Sequence, residues 1–215
     1  MSNRTPSLAA LQRRFLCLLA LLSALITAHA QPPLAAKDRV MALRTGGYVI
    51  LMRHASSPRA PPDPAYADAD NVQHERQLDG AGRASARAMG EALRRLNIPV
   101  GQVLSSPTYR ALETVRLAQL GPPKIHSELG DAGQSMQADP TGERAAWLRA
   151  QVAERPSAGT NTIIVTHFPN VSEAFGKDAA GLDDGEALVF RPDDRGRLAL
   201  VGRIKITDWQ LAAAH

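Results

Sequence analysis

The stretch Tyr48-Val49-Ile50-Leu51-Met52-Arg53-His54 decides the fold of this chain and locates its chemistry. A continuous apolar run of this length is typical of a strand that is buried on both faces of a parallel sheet. The run ends abruptly in two polar residues, Arg53 and His54. In open α/β sheets, ligands bind beyond the carboxyl ends of the strands. The stretch therefore predicts a buried strand that carries a guanidinium and an imidazole to a binding site.

Strand patterns and helix patterns alternate along the rest of the chain. At 80–96, for example, apolar residues recur on one helical face and charged residues on the other. This alternation predicts an α/β fold, a three-layer α/β/α sandwich with a mainly parallel sheet and a C-terminal hairpin. The predicted strands are 48–52, 100–105, 124–126, 162–166, 187–190 and 198–206. The predicted helices are 37–44, 80–96, 107–120, 142–154 and one that begins near Pro169. Ser106 is the predicted N-cap of the helix 107–120.

The first 30 residues have the pattern of a secretory signal peptide. Three arginines precede the apolar run 15–26, and Ala28-His29-Ala30 follows it as a small-residue cleavage site. The run is too short to span a membrane, which takes about 20 residues. The alternative is a buried N-terminal helix. We therefore expect a signal peptide at 1–30 and a single domain at 31–215, located in the periplasm or secreted, with no stable membrane insertion after cleavage.

The charge of the chain changes when the predicted signal peptide is set aside. Removing 30 residues from 215 leaves 185, a suitable size for one domain. The removed segment contains three arginines and no acidic residue, so the formal net charge falls from +4 to +1. A nearly neutral domain has no general attraction for polyanions. Nucleic acid is therefore not expected as a partner.

Three predicted strands end in residues of the same chemical kind. The first ends in Arg53-His54, and a later one ends in Thr166-His167. Between them, Arg110 lies on the first turn of the helix that follows the strand 100–105. Because the carboxyl ends of parallel strands share one edge of a sheet, two histidines and two arginines are expected to converge there.

This set of side chains suits a phosphate ester. Guanidinium groups donate forked hydrogen bonds to phosphate oxygens, and a helix N-terminus adds backbone donors. A neutral imidazole can attack phosphorus directly, and nearby arginines keep it neutral by disfavouring the imidazolium form. A second histidine, if protonated, could stabilise charge on the transferring group. The pattern therefore favours phosphoryl transfer.

In these segments the sequence resembles the histidine phosphatase superfamily, which includes phosphoglycerate mutases, acid phosphatases and phosphohistidine phosphatases. The matching segments are 51–55, 76–84, 104–114 and 164–167, and they occur in the order of the family. The resemblance implies that His54 is phosphorylated during turnover and that Arg53, Arg110 and His167 form the phosphate pocket. It implies that no metal and no other cofactor is needed, and that the partner is a phosphorylated small molecule or glycan.

The proton donor is the part of the family pattern that this sequence meets least well. The acid phosphatase branch has an Asp directly after the second histidine, where this chain has Phe168. The mutase-like branch has a Glu in the segment after the third strand. Glu128 is the nearest match to that Glu, and Asp131 is the alternative. The resemblance thus implies His54, His167 and Glu128 as catalytic residues.

Two other functions can be compared with that of a phosphatase. A metal hydrolase would need closely spaced histidines such as His-x-His, and the sequence has none. A catalytically weak phosphate- or glycan-binding relative of the same fold is the second alternative. The signal peptide and the helix that ends before Gly-Gly-Tyr also resemble periplasmic lipopolysaccharide-core phosphatases. That likeness suggests a phosphorylated envelope component as the substrate.

Overall fold

The structure is a computed structural model that describes residues 35–58, 75–130 and 142–214. The predicted alternation of strands and helices is present throughout these ranges. None of the helices in the described ranges is long and apolar enough to cross a membrane. In chain order the elements are α1 Ala36–Ala42, β1 Val49–Arg53, α2 Gly80–Arg95, β2 Val100–Ser105, α3 Tyr109–Ala118, β3 Lys124–Ile125, α4 Glu143–Ala153, β4 Asn161–Thr166, α5 Phe168–Phe175, β5 Ala187–Pro192, β6 Leu198–Ile204 and α6 Asp208–Ala213.

The strands form one sheet in the order β3-β2-β4-β1-β5-β6. The first four are parallel to one another, β5 pairs antiparallel with β1, and β5 and β6 form the predicted antiparallel hairpin near the C-terminus. Arg53 lies opposite Thr166 in the register of β1 with β4. The residues that follow these two strands, His54 and His167, therefore leave the sheet side by side.

Helices cover both faces of the sheet, so the predicted three layers are present. Ile50 and Met52 of β1 face a core built with α1, α2, α3 and α6. Val49 and Leu51 face the opposite core, built with α4 and α5. Successive side chains of a strand point to opposite faces, and here both faces are covered. This double burial is the reason that β1 reads as an unbroken apolar run.

Two details of the helices differ from the prediction. Helix α3 begins at Tyr109 with Thr108 as its N-cap, so Ser106 and Pro107 precede the helix. The Ser106 hydroxyl bonds to His167 and accepts from the Thr108 backbone N–H, ahead of the first residue of the helix. Helix α6 was not predicted, because a helix of six residues is too short to give a periodic pattern. Arg110 remains in the first turn of α3, as expected.

Candidate active site

His54 sits directly after β1 at the carboxyl edge of the sheet. Its backbone N–H donates to the Thr166 carbonyl over 3.0 Å, and its carbonyl accepts from Gly185 over 2.9 Å. The imidazole Nδ1 lies 2.7 Å from the carbonyl oxygen of Ala55. Because a carbonyl can only accept, Nδ1 carries the proton and Nε2 keeps its lone pair. The backbone thus fixes the ring in the tautomer that a nucleophile at Nε2 requires.

Arg110 joins the two histidines that the sequence placed on separate strands. Its Nε donates to His54 Nε2 over 3.2 Å, and its Nη2 lies 3.1 Å from His167 Nδ1. The ring centroids of His54 and His167 are 5.1 Å apart in an edge-to-face arrangement. All three side chains are at most 3% exposed. One edge of a buried guanidinium therefore faces both imidazoles.

His167 follows β4 and is held at its other ring nitrogen. Its Nε2 lies 2.8 Å from Ser106 Oγ and 3.2 Å from Thr108 Oγ1. Sequence reasoning assigned Ser106 to a helix cap and did not single out Thr108. A serine directly after a strand end was the available signal, but its partner lies 61 positions along the chain. The two hydroxyls belong to the site together with His167.

Burial keeps both imidazoles neutral. Desolvation, followed by the charges of Arg110, Arg53 and Arg76, lowers the pKa of His54 from 6.5 to about 3, against the opposing hydrogen bond to Ala55. Desolvation, followed by His54 and Arg110, lowers the pKa of His167 to about 2. Burial in a low dielectric disfavours the imidazolium form, and neighbouring cations act in the same direction. The His54 ring is therefore uncharged at neutral pH, with a lone pair on Nε2, as an attacking imidazole must be.

Arg53 reaches the same edge of the sheet but is bound differently from Arg110. Its Nη2 forms an ion pair of 2.6 Å with Asp184, and its Nη1 donates to the Leu182 carbonyl over 3.1 Å. The guanidinium lies 5.9 Å from the centre of the Phe168 ring. Its charge lowers the pKa of both histidines. Arg53 thus contributes positive potential to the pocket while the loop before β5 holds its terminal nitrogens.

A third arginine, Arg76, also acts on this pocket. From the sequence alone, a solvated or helix-capping role is the simplest interpretation of Arg76. In the structure its side chain is half-buried and donates to the backbone carbonyl of Ser57, and its charge lowers the pKa of both His54 and His167. Its contribution could not be predicted from spacing, because the long stretch of sequence between it and His54 has no periodic pattern.

The expected acid, Glu128, lies on a short helical turn, Ser127–Leu129, that runs beside the end of β4. The next residue, Leu129, accepts a hydrogen bond of 2.9 Å from the Thr166 hydroxyl, one position before His167. Glu128 itself accepts from Ser127 over 3.2 Å. Asp131, the alternative acid, is outside the described residues. The turn is therefore anchored next to the pocket, and the role of Glu128 stays a prediction.

Glu113 supports the helix that carries Arg110. Its side chain is 3% exposed and pairs with Arg83 over 2.9 Å and with Arg116 over 2.6 Å. Because Arg83 belongs to α2, this carboxylate ties α2 to α3. Thr114 adds a second support, since its hydroxyl donates to the Arg110 carbonyl and accepts from the Ala55 backbone N–H. These contacts fix the backbone of Arg110 relative to the residue after His54.

Taken together, the geometry places one neutral ring nitrogen with a lone pair beside a buried guanidinium edge, and the charges of three arginines act on it. Such an edge is the preferred bidentate partner of a phosphate group. Among the residues that the structure describes, no group of three or more His, Cys, Asp and Glu side chains could hold a metal ion. The polar groups at the site are those that bind an oxyanion and attack its central atom.

Comparisons with known proteins find the same fold. Residues 49–133 match the family model described as the histidine phosphatase superfamily, branch 1. The solved structure of the protein histidine phosphatase SixA complexed with tungstate is 20% identical, with a TM-score of 0.54 over 75% of this chain and 98% of that chain. Bacillus stearothermophilus YhfR is 16% identical, with a TM-score of 0.51 over 75% of this chain and 98% of that chain. No curated protein sequence matches the chain.

Proposed function

Because this chain has the fold of the histidine phosphatase superfamily, we propose that it hydrolyses phosphomonoesters through a phosphohistidine on His54. The observation that carries the proposal is the fixed tautomer of His54, whose Nδ1 is bound to the Ala55 carbonyl and whose Nε2 faces Arg110. A nucleophile that is buried, neutral and oriented needs no general base to activate it.

The proposed reaction has two steps. In the first, the Nε2 lone pair of His54 attacks phosphorus, the bond from phosphorus to the ester oxygen breaks, and that oxygen takes a proton as the alcohol leaves. In the second, water attacks the phosphorus of the N-phosphohistidine and loses a proton, inorganic phosphate departs, and Nε2 regains its lone pair. The Ala55 carbonyl stabilises the positive ring of the intermediate, because it already accepts the Nδ1 proton. Arg110, Arg53 and Arg76 stabilise charge on the phosphoryl oxygens.

The identity of the proton donor follows as part of this proposal. We assign it to Glu128, which is supported by its position on a turn anchored beside β4. Protonation matters most when the leaving group is a poor one such as a sugar alkoxide. Glu128→Gln should therefore slow an alkyl phosphate by at least about tenfold more than it slows p-nitrophenyl phosphate. Equal losses on both substrates would transfer the role to another residue, with Asp131 the next to test.

The proposed substrate is a phosphorylated component of the cell envelope, met after export of the chain. Export and an envelope substrate are supported by the signal-like segment at 1–30 and by the resemblance of the N-terminal part to lipopolysaccharide-core phosphatases. Metal independence is supported by the protein groups themselves, which supply both the nucleophile and the phosphate donors. A panel of phosphomonoesters assayed with and without a chelator tests both points. Loss of turnover in chelator would exclude a metal-independent reaction.

The nucleophile is tested by trapping the covalent intermediate. An N-phosphohistidine is stable to base, so a short incubation with labelled substrate and an alkaline quench should leave label on the peptide that contains His54. His54→Ala should abolish label and turnover, because no other attacking group takes its place. His167→Ala is the matched control, since it removes the neighbouring ring but leaves the nucleophile.

The control has its own expected result. His167→Ala should still acquire label slowly, because loss of one stabilising group costs about 10²–10³ in rate. Label on His167, or wild-type turnover in His54→Ala, would reverse the two roles. Tight binding of phosphate without turnover of any ester would instead favour the alternative function, a phosphate- or glycan-binding relative.

A further inference from the structure

Two hydroxyls hold one ring nitrogen of His167. Ser106 Oγ lies 2.8 Å from His167 Nε2 and Thr108 Oγ1 lies 3.2 Å from it, while Ser106 Oγ and Thr108 Oγ1 are 3.1 Å apart. All three residues are at most 2% exposed. The Thr108 backbone N–H also donates to Ser106 Oγ over 3.2 Å. A short loop between β2 and α3 therefore carries a preformed pair of hydroxyls for this ring.

The second nitrogen of the same ring has a different partner. His167 Nδ1 faces Nη2 of Arg110 over 3.1 Å, and a guanidinium can only donate. With this donor beside it, Nδ1 is an acceptor, and Nε2 carries the proton and donates to the hydroxyl pair. The ring cannot rotate without losing contacts at both ends.

We propose that Ser106 and Thr108 are positioning residues that hold His167 by Nε2 with Nδ1 facing the phosphoryl site, so that binding of an oxyanion is accompanied by uptake of one proton at Nδ1. This inference rests on the proposed function, because it assumes that the oxyanion occupies the edge of Arg110 that faces both rings. An oxyanion on that edge replaces a donor beside Nδ1 with an acceptor. Two acceptors in contact repel each other, and a proton on Nδ1 turns the contact into a hydrogen bond.

The groups around His167 disfavour a second proton on its ring. The groups that act on the ring are Arg110 from α3, Arg53 from the end of β1, Arg76 from the segment before α2, and the neutral ring of His54. Burial and these cations lower the pKa of His167 to about 2. A bound dianion offsets much of this positive charge, which raises the affinity of the ring for a proton.

Calorimetry on the full chain tests the inference with tungstate as the probe, since this dianion does not titrate near neutral pH. Binding is measured at pH 7.5 in buffers of different ionisation enthalpy, which yields the number of protons taken up. The wild-type protein should take up about one proton per tungstate, and His167→Gln should bind with none. Uptake of no proton by the wild-type protein, or unchanged uptake in His167→Gln, would overturn the proposal.

The role of the hydroxyls is tested by variants that keep the packing. Thr108→Val removes the hydroxyl at constant shape, and Ser106→Ala removes the other; together they should weaken tungstate binding about tenfold and lower the proton uptake clearly below one. Thr108→Ser has a hydroxyl where Thr108→Val has none, and it should recover both the tungstate affinity and the proton uptake. Ser105→Ala is the matched control, because Ser105 is a neighbouring buried serine whose hydroxyl donates to the Ser106 carbonyl and not to His167.

The outcomes separate this inference from the proposed function. Proton uptake is measured with an inert anion and needs no turnover, whereas the phosphohistidine is detected by label on His54. Normal uptake without label would remove the proposed function and leave the inference in place. Wild-type affinity and uptake in the Ser106→Ala/Thr108→Val double variant would show that the hydroxyls serve the local loop only, and would overturn the positioning role.

Discussion

His54 and His167 are neutral side chains buried next to a cation at the ends of two parallel strands. Burial lowers the pKa of His54 to about 3 and that of His167 to about 2, whereas an unfolded chain holds both near 6.5. Between pH 6.5 and these lowered values the unfolded state binds more protons than the folded state. The free energy of unfolding therefore rises with pH across this window and is lost as the pH falls through it.

The pH dependence gives a prediction for stability. From pH 6.5 to about pH 4, each buried histidine should reduce the free energy of unfolding by up to about 1.4 kcal/mol per pH unit. Urea unfolding at pH 7, 6, 5 and 4 measures the slope. His54→Gln and His167→Gln should each flatten it, because glutamine does not titrate. Identical slopes in the variants and the wild-type protein would show that these rings do not govern acid sensitivity.

At the scale of elements, close approach of the backbone places α2 against the site. A Cβ at Gly82 would lie 2.2 Å from the Ser56 carbonyl oxygen, two residues after His54. The Asp79 carboxylate caps α2 by accepting from the Gly82 backbone N–H over 2.6 Å, and it also accepts from the Ser56 hydroxyl over 2.8 Å. The first turn of α2 and the segment after His54 are therefore held together by packing and hydrogen bonds, and a shift of one should move the other.

Substitutions at two glycines of α2 test this coupling between α2 and the site. Gly82→Ala should displace the segment that follows His54, because the new methyl group meets backbone atoms that cannot move aside cheaply. Gly90→Ala in the same helix also meets backbone, 1.9 Å from the Ala118 carbonyl oxygen, but at the far end of α3. Both variants should lower the melting temperature, and Gly82→Ala should in addition reduce kcat/KM by about tenfold or more. Equal activity per folded molecule in the two variants would contradict the coupling of α2 to the site.

At the scale of the whole molecule, the described fold has its first helix at Ala36–Ala42, which contributes Val40 to the core shared with α6. We therefore predict that removal of the proposed signal peptide leaves the fold and its activity intact. Mass spectrometry of the protein from its native cell should give an N-terminus at Gln31. Purified protein that begins at Gln31 should turn over phosphomonoesters as fast as the full chain. Recovery of the uncleaved chain from the cytoplasm would contradict export.

The succession of strands and helices along the chain, and the edge of the sheet that holds the site, could be predicted from the sequence, because both depend on local periodicity. An unbroken apolar run identifies a doubly buried strand wherever the partners lie, and β1 and β4 both show it. The side chains at the ends of parallel strands meet at one edge whatever the order of the strands. His54, Arg110 and His167 were therefore expected to lie together, and the structure brings them together.

Only the tertiary structure decided the partner of each side chain at that edge. Ser106 reads as a helix cap, yet its hydroxyl bonds to a histidine 61 positions away. Arg53 and Arg110 look equivalent in the sequence, but Asp184 binds the first and two histidines face the second. From the sequence, Glu113 could be an orienting partner of Arg110 or a surface charge, and the structure buries it between two arginines. The physical reason is that burial periodicity is a property of one segment, whereas a hydrogen bond or ion pair depends on which distant segments the packed sheet brings within about 3 Å.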